Sequence, residues 1–361
     1  MKIEFLKKTF FYLLLLPMII ACDEIDPIEI PTYVPGAKGV FILNEGNWSD
    51  NDASLSFYNL ETGNVTLDIL GGKLGDTGQD MMIYGNKLYI SVNVSSVIDV
   101  VDLTSQKSIK RIPLFDDAGI PREPRYLAAW EGNVYVTTYD GYVVKMDTTR
   151  LEVAAITQVG DNPDGIAAVA GKLYVANSGG MNYMKGTPPD NTLSVVDIAQ
   201  FKQEKTIKVG VNPYIVKADK EGNLYVTYRG DYNNPSVPSG IQKVDTKTGI
   251  VSDLPIFANQ KFDILDNLLY FYNVVYDENW TPSGSFGVYD LKKEKLTSDK
   301  IISDGTIVNF PYTIGVNPQN KDVYISNQEF PNRAKVFVFG RDGKKKTTLD
   351  VGIGANTFVF Y

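Results

Sequence analysis

A short apolar phrase recurs along the chain from Gly39 to its end. Within each copy, β-branched and aromatic residues alternate with smaller or polar ones, which is typical of a β-strand. Each copy has an aromatic residue at the same point, and these residues are spaced by about 47 positions on average, the length of one four-stranded propeller blade. The copies are GVFILN (Gly39–Asn44), KLYISV (Lys87–Val92), NVYVTT (Asn133–Thr138), KLYVAN (Lys172–Asn177), NLYVTY (Asn223–Tyr228), LLYFYN (Leu268–Asn273) and DVYISN (Asp322–Asn327).

The sequence around each phrase supplies three further strands. An apolar stretch and a tight turn precede the phrase, and Gly132, Gly171 and Gly222 stand where a hairpin turn needs a positive φ. A second alternating strand, a polar turn and a short last strand follow it. No long amphipathic helical pattern is present after residue 36. Each repeat is therefore predicted to be a sheet of four antiparallel strands.

The two ends of the repeat region complement each other. The first unit begins directly at its second strand, and the chain ends on an apolar strand without a unit of its own, Asn356–Tyr361. We expect this strand to complete the first blade, because closure removes the exposed sheet edge of an open ring. The prediction is an all-β, seven-bladed β-propeller closed by its C-terminal strand. An open array or a sandwich is the alternative.

The N-terminal segment has the pattern of an export signal. Three lysines precede an apolar run, Thr9–Ala21, which is too short for a membrane span of about 20 residues. The run ends at Cys22, the only cysteine of the chain. This stretch resembles a bacterial lipoprotein signal, which implies lipidation of Cys22 after cleavage. An ordinary signal peptide followed by a free cysteine is the alternative.

These features divide the chain into three segments. Residues 1–21 are predicted to be the signal peptide, residues 22–36 the lipidated cysteine with an acidic, proline-rich spacer, and residues 37–361 the propeller. Acidic residues directly after the cysteine resemble the surface-export signal of Bacteroidetes lipoproteins. We therefore expect a lipid-anchored protein of the outer membrane that faces the cell exterior.

Charge and composition narrow the range of functions. The net charge of the chain is −8, and since residues 1–21 contribute +2, the remainder carries −10. Such a chain does not bind nucleic acid or anionic lipid through its overall charge. It contains no histidine, which excludes Ser-His-Asp and Cys-His catalysis and histidine-ligated zinc or haem. Paired carboxylates and aspartate-rich Ca²⁺ loops stay possible, but neither has a spacing signature here.

The connections that lie between second and third strands, or between blades, share one face of a propeller, here called the long-loop face. The long ones are Glu45–Ala53, Ser178–Asn191, Arg229–Gly240, Val274–Gly284, Gln328–Ala334, Gly71–Asp80 and Phe115–Arg125. They contain aromatic and arginine side chains of the kind that make recognition surfaces. The candidate ligand-binding residues are Trp48, Arg125, Tyr139, Tyr183, Arg229, Tyr232, Tyr276, Trp280 and Phe330. The alternative is that each aromatic packs its own loop, as is expected for Trp130 on an inner strand.

Polar residues near the start of the inner strands form a second candidate set. They are expected to point at the propeller axis on the long-loop face. Asn-Pro steps at Asn162 and Asn212 also favour turns, and this alone explains those two residues. The set is Gln79, Asp80, Arg125, Asn162, Asp164, Asn212, Tyr214, Asn309, Tyr312 and Asn356.

Two resemblances give these observations a possible function. The phrases YVTY and YVTT are similar to the repeat of YVTN-type propellers across nearly the whole chain after the spacer. The opening FILNEGN (Phe41–Asn47), with the lipoprotein signal and the acidic start, resembles the BtuG-type cobalamin-binding surface lipoproteins. That resemblance implies capture of a corrinoid at the cell surface and its transfer to a TonB-dependent outer-membrane transporter. The corrinoid is then a ligand, and no cofactor and no catalytic residue is expected.

Other functions fit the same surface. Exposed tryptophan and tyrosine rings also stack on sugars, so a glycan-binding or carboxylate-dependent glycan-degrading surface protein is the principal alternative. An adhesion scaffold that uses this face on another protein is a third hypothesis. Fold alone does not choose between them, because propellers host many functions.

The anchoring hypothesis predicts the behaviour of Cys22→Ser. The variant loses its only acylation site, so it should fold as a propeller but leave the membrane fraction. The measurement is membrane fractionation combined with labelling by a radioactive fatty acid. A variant that stays with the membranes and still takes up the label would contradict the lipoprotein interpretation.

Overall fold

The computed structural model describes residues 39–279, 281–298 and 301–361. These residues form seven antiparallel sheets of four strands each, which confirms the predicted all-β propeller. The only helical segment among them is a short 3-10 turn, Asn182–Lys185. The predicted signal peptide, Cys22, the whole spacer region and Trp280 lie outside the described residues. No described helix is long and apolar enough to cross a membrane.

The strands follow one another in chain order, four to a blade. Strands β1 to β3 are Gly39–Asn44, Ser54–Asn59 and Val65–Thr66; β4 to β7 are Gly78–Tyr84, Lys87–Val92, Val97–Asp102 and Lys107–Pro113; β8 to β11 are Pro124–Trp130, Asn133–Thr138, Tyr142–Asp147 and Glu152–Gln158. Strands β12 to β15 are Pro163–Val169, Lys172–Asn177, Thr192–Asp197 and Lys202–Lys208; β16 to β19 are Pro213–Ala218, Leu224–Tyr228, Gly240–Val244 and Val251–Asp253. Strands β20 to β23 are Phe262–Leu265, Leu268–Tyr276, Pro282–Asp290 and Lys295–Ser298; β24 to β27 are Pro311–Val316, Val323–Asn327, Lys335–Phe339 and Lys345–Asp350; β28 is Ala355–Phe360.

The recurrent phrase forms the second strand of every blade. It is apolar because both of its faces are covered by neighbouring blades, and all residues of β1 are buried. The aromatic residue of the phrase packs between blades and is buried in six of them, whereas Tyr270 is partly exposed. The outermost strands, such as β7, are mainly exposed. The alternation seen in the sequence thus reflects a gradient of burial from the axis outward.

The C-terminal strand closes the ring as predicted. Strand β28 pairs antiparallel with β1, with Phe41 opposite Val359, and the order of this sheet is β28-β1-β2-β3. The backbone N–H of Gly39 donates to the carbonyl oxygen of Tyr361 at 2.7 Å, and the reverse bond measures 2.9 Å. The first blade is therefore assembled from both ends of the repeat region.

The inner strands β28, β4, β8, β12, β16, β20 and β24 surround a central channel. Their approach is close enough to restrict side chains. At Gly165 of β12, an added Cβ would lie 2.5 Å from the carbonyl oxygen of Tyr214 on the next inner strand. Glycine is needed there for room.

The predicted loops differ most from the structure in the sixth blade. Residues 274–284 were expected to be a loop, but β21 continues to Tyr276 and β22 begins at Pro282. Only residues 277–281 connect them, so this connection is a projecting hairpin. The expected connections 71–80 and 115–125 also end inside strands, since β4 begins at Gly78 and β8 at Pro124.

Removal of residues 356–361 should destabilise the whole propeller. The deletion takes the inner strand from the first blade and exposes the apolar edge of β1, which costs several kcal/mol of the free energy of unfolding. Denaturant unfolding of the soluble chain that starts at Asp23 measures this loss. Deletion of residues 24–36 is the control and should leave the stability unchanged. Equal stability of both deletions would show that β28 does not hold the ring closed.

Candidate functional site

The inner strands share a local irregularity where they begin, on the long-loop face. In six of the seven blades, the pairing between the first and second strand skips one or two residues, in the manner of a β-bulge. A bulge bends its strand and redirects a side chain. The skipped residues include Gln79, Arg125, Asp164, Tyr214, Tyr312 and Asn356, one from each of these blades.

The redirected side chains surround the entrance of the central channel. A pocket of about 550 Å³, here called the mouth pocket, opens there on the long-loop face, and a cavity of about 200 Å³ continues into the channel below it. The walls of the mouth pocket include Glu45, Gln79, Arg125, Tyr214, Arg229, Lys261, Tyr272, Tyr276, Tyr312 and Asn356. The bulges thus bring residues that are far apart in sequence to one site.

Arg125 is the centre of a network that joins three blades. Its Nε and Nη2 atoms donate to Oδ1 of Asp164 at 2.8 and 2.6 Å, and Nη1 donates to Oε1 of Gln79 at 2.8 Å. Its guanidinium also lies 4.8 Å from the ring centroid of Tyr139. Although burial by itself lowers the pKa of Arg125, Asp164 together with Tyr126 and Tyr139 outweighs that effect and raises the pKa. Arg125 is a charged residue held rigidly in the wall of the pocket.

A pair of buried tyrosines supports the next part of the wall. The hydroxyl of Tyr126 donates to the hydroxyl of Tyr214 at 2.9 Å, and the Arg229 guanidinium lies 3.3 Å from the centroid of the Tyr214 ring. Burial alone raises the pKa of Tyr214, but Lys261, Arg229 and the hydrogen bond from Tyr126 outweigh it and lower that pKa. The Tyr214 side chain therefore has a fixed orientation with two cations near it.

Asn356 supplies a polar atom that has no partner. Its Nδ2 atom donates to the carbonyl oxygen of Gly78 at 2.8 Å, and Lys261 Nζ donates to its main-chain carbonyl oxygen at 2.9 Å. The side-chain oxygen Oδ1 is buried and accepts no hydrogen bond from the described residues. Buried polar atoms are normally satisfied, so this enclosed acceptor is an exception in the wall of the pocket.

The remaining wall contains a single carboxylate. Glu45 accepts a short hydrogen bond from the Tyr312 hydroxyl, and Tyr272 donates to the Tyr312 carbonyl oxygen at 2.6 Å. Burial and the nearby Glu45 raise the pKa of Tyr312. Phe330 packs edge-on against Tyr312, with 5.6 Å between ring centroids. Among the described residues that line the pocket, Glu45 is the only acidic one.

The mouth pocket contains only part of the candidate set from the loops. Arg125, Arg229 and Tyr276 line it directly, whereas Tyr139 and Phe330 are not among its lining residues and pack against lining residues. Trp48, Tyr183 and Tyr232 are exposed and do not line the pocket; Trp48 has 78% and Tyr232 72% of its surface accessible. Trp280 cannot be placed because it lies outside the described residues.

The second candidate set contributes more of the pocket. Gln79, Arg125, Tyr214, Tyr312 and Asn356 all line it. The set also contained Asn162 and Asn212, for which the turn interpretation is confirmed, because both adopt a left-handed φ, 46° and 58°. Asn309 is not among the lining residues. Trp130 is buried in the core, as predicted.

One segment of the site was missed. Phe257, Asn259, Gln260 and Lys261 belong to the connection between β19 and β20, and they form one side of the mouth pocket. Only their position in the repeat could have identified these residues from the sequence. They stand immediately before an inner strand, where the other blades place their polar residues.

The channel below the mouth contains a half-buried acid. Asp80 faces the channel, and its Oδ2 atom accepts a hydrogen bond from the N–H of Leu127 at 3.0 Å. Burial raises the pKa of Asp80 to about 6, although the Leu127 N–H and Lys261 oppose this. No group of three or more acidic or cysteine side chains that could hold a metal ion occurs in the described part of the chain.

Comparison with known proteins places the chain in a family. A family model described as a domain of unknown function, DUF5074, matches residues 38–351. A search of curated proteins finds no match.

Solved structures show the same fold at low sequence identity. Hydrazine synthase of Kuenenia stuttgartiensis is similar with a TM-score of 0.55 and 16% identity, over 75% of this chain and 85% of that one. The computationally designed Ika8 protein has a TM-score of 0.53 and 12% identity, over 90% of each chain. U3-55K has a TM-score of 0.52 and 10% identity, over 74% of this chain and 78% of that one. At these identities the likeness concerns the fold alone.

The half-buried acid predicts a pH-dependent effect of Asp80→Asn. Because the pKa of Asp80 is raised to about 6 in the folded protein, the stability gained from its protonated form is present at pH 4 and is lost as the pH rises through 6. The neutral asparagine avoids this loss. Relative to the parent, the variant should gain about 2 kcal/mol of unfolding free energy between pH 4 and pH 8.

Denaturant unfolding of both proteins at the two pH values measures this change. Asp304→Asn is the control, because hydrogen bonds from the backbone N–H groups of Lys345 and Thr306 lower the pKa of Asp304 to about 2. Its effect on stability should hardly change between pH 4 and pH 8. If the two variants show the same pH dependence, Asp80 does not titrate as described.

Proposed function

Since the chain belongs to the DUF5074 family, which has no assigned function, we propose a function from its own site. We propose that the protein binds a corrinoid such as cobalamin at the mouth pocket. It does so as a binding protein and not as an enzyme. The observation that supports this most is the amide-rich wall of the pocket around the unpartnered Oδ1 atom of Asn356.

The chemistry of a corrinoid fits this wall. A corrinoid is a flat macrocycle with several amide side arms, each of which both donates and accepts hydrogen bonds. Gln79, Asn259, Gln260 and Asn356 line the pocket, so side-chain amides contribute to its wall. Aromatic rings beside them provide flat apolar surface for the macrocycle. Without histidine, recognition depends on shape and hydrogen bonds and leaves the lower cobalt ligand unchanged.

The exposed aromatic residues of the rim extend this surface. Trp48, Tyr183 and Tyr232 stand in loops of the long-loop face and lie outside the mouth pocket itself. A ligand of corrinoid size extends beyond a pocket of about 550 Å³, so its outer parts would reach the rim. We assign these three residues to peripheral ligand contacts and Tyr276, which lines the pocket, to a central one.

The acid–base chemistry of the pocket favours binding over hydrolysis. Glycoside hydrolysis by carboxylates requires two acidic groups on either side of the scissile bond. Glu45 is the one acidic residue among the described residues of the wall, and it already accepts the hydroxyl of Tyr312. A glycan-degrading function therefore has no support from this pocket, and glycan binding is the alternative that an experiment has to separate.

The place of action follows from the N-terminal pattern. We propose that Cys22 anchors the propeller to the outer membrane, with its binding face turned to the cell exterior. The captured corrinoid would then pass to a TonB-dependent transporter in the same membrane. The support for this part is the lipoprotein-like signal and the acidic spacer.

Calorimetric titration of the soluble chain with cyanocobalamin tests whether the protein binds a corrinoid. Single changes of Tyr276, Trp48, Tyr232 and Trp280 to alanine should each weaken binding by about 1–4 kcal/mol where the side chain touches the ligand, most strongly at Tyr276. The melting temperatures of the Tyr276, Trp48 and Tyr232 variants should stay near that of the parent, because these exposed side chains contribute little to the core.

Trp130→Phe is the matched control. Trp130 is buried away from the pocket, so the variant should lower the melting temperature and leave the affinity unchanged. Oligosaccharides are tested in parallel. A parent protein that binds a glycan and no corrinoid would refute the ligand assignment. Parent-like affinity in all four alanine variants would refute the assigned face.

A further inference from the structure

Two cations of the mouth pocket lack a carboxylate partner. Arg229 and Lys261 both line the pocket, yet neither forms an ion pair with any described residue. Arg125 differs from them, because Asp164 already neutralises it at 2.6 Å. Partly buried charges without a counter-ion are costly, so an unpaired pair of cations in one pocket wall indicates that the opposite charge comes from outside the chain.

Both cations are held in place by uncharged groups. Arg229 stacks on the ring of Tyr214, which is itself buried and fixed by the hydroxyl of Tyr126. Lys261 donates to the main-chain carbonyl oxygen of Asn356 and lies 5.8 Å from the centroid of the Tyr312 ring. These contacts orient the side chains without pairing their charge, since Asp164 and Asp80 act on Arg229 and Lys261 only electrostatically and form no ion pair with them. Such an arrangement is preorganised for an anion.

The charge of the pocket contrasts with that of the protein. The chain as a whole carries −8, whereas the described residues that line the pocket include three cations and one carboxylate. That carboxylate, Glu45, accepts the hydroxyl of Tyr312 and forms no ion pair with Arg229 or Lys261. The excess positive charge is therefore local to the binding site.

We propose that Arg229 and Lys261 form an anion subsite that binds the phosphodiester of a complete corrinoid. This inference rests on the proposed function and deepens it, because it names the part of the ligand that decides specificity. The amides of the wall bind the side arms common to all corrinoids, while the two cations distinguish ligands that carry a phosphate from those that do not.

Three corrinoids separate the contributions of phosphate and base. Cyanocobalamin has the phosphodiester and the base, cobinamide phosphate has a phosphate without the base, and dicyanocobinamide has neither. The parent should bind the first two about tenfold to a hundredfold more tightly than dicyanocobinamide. This preference should weaken as the salt concentration rises.

Arg229→Gln and Lys261→Gln remove one charge each and retain a polar side chain. Each should lower the affinity for the two phosphate-bearing ligands about tenfold more than it lowers the affinity for dicyanocobinamide. Arg229→Lys restores the charge and should recover part of the preference, which a purely structural role of Arg229 would not explain. Lys185→Gln is the control, because Lys185 pairs with Asp161 outside the pocket and its loss should change neither affinity.

Failure of the subsite and failure of the ligand assignment give different results. If the parent binds all three corrinoids equally and Arg229→Gln weakens them equally or not at all, the anion subsite is wrong and corrinoid binding stands. If no corrinoid binds, the ligand assignment fails, and pyrophosphate becomes the probe. A rise in the melting temperature of the parent with pyrophosphate that Arg229→Gln abolishes would support the subsite. If no corrinoid binds and pyrophosphate does not raise the melting temperature of the parent, the anion subsite is refuted as well.

Discussion

The pairing of β28 with β1 is the interaction on which the rest of the structure depends. It joins the two ends of the repeat region in one sheet and converts a row of blades into a ring. A ring has no free sheet edge, and its blades can pack only against one another. Consequently, seven inner strands begin around a single axis, and residues hundreds of positions apart, such as Glu45 and Tyr312, come into contact.

The bulges at the beginning of the inner strands convert this geometry into a site. A regular strand would place alternate side chains on the two faces of its blade, whereas a bulge redirects one of them. Because six blades share this feature, polar residues gather at the mouth and bond across blade boundaries, as Arg125 does with Asp164 and Gln79. Most of these groups satisfy one another. Three groups do not: the Asn356 Oδ1 atom accepts no hydrogen bond from the described residues, and the cations Arg229 and Lys261 have no ion-pair partner among them.

The binding face has two zones with different physical roles. The mouth pocket is rigid, since its side chains are fixed by hydrogen bonds and ring contacts between blades. The rim consists of exposed aromatic residues on loops, among them Trp48 and Tyr232. A preorganised centre reduces the entropy lost on binding, and an apolar rim excludes water around it. This combination is consistent with the binding function proposed above.

The sequence by itself determined the fold, since the phase of the recurrent phrase and the unpaired C-terminal strand predict both the number of blades and the closure. It also predicted Arg125, Arg229 and Tyr276 as candidates, and these three line the mouth pocket, because position on the long-loop face is a property of the repeat. Local sequence does not specify distances across the ring. Sequence analysis therefore could not distinguish the exposed loop aromatics Trp48 and Tyr232 from the residues that line the pocket. For the same reason the sequence did not predict Lys261 as a site residue, since it stands in a connection without a motif. Only closure of the ring, together with the bulges, decides which polar groups meet at the axis and which of them are left without a partner.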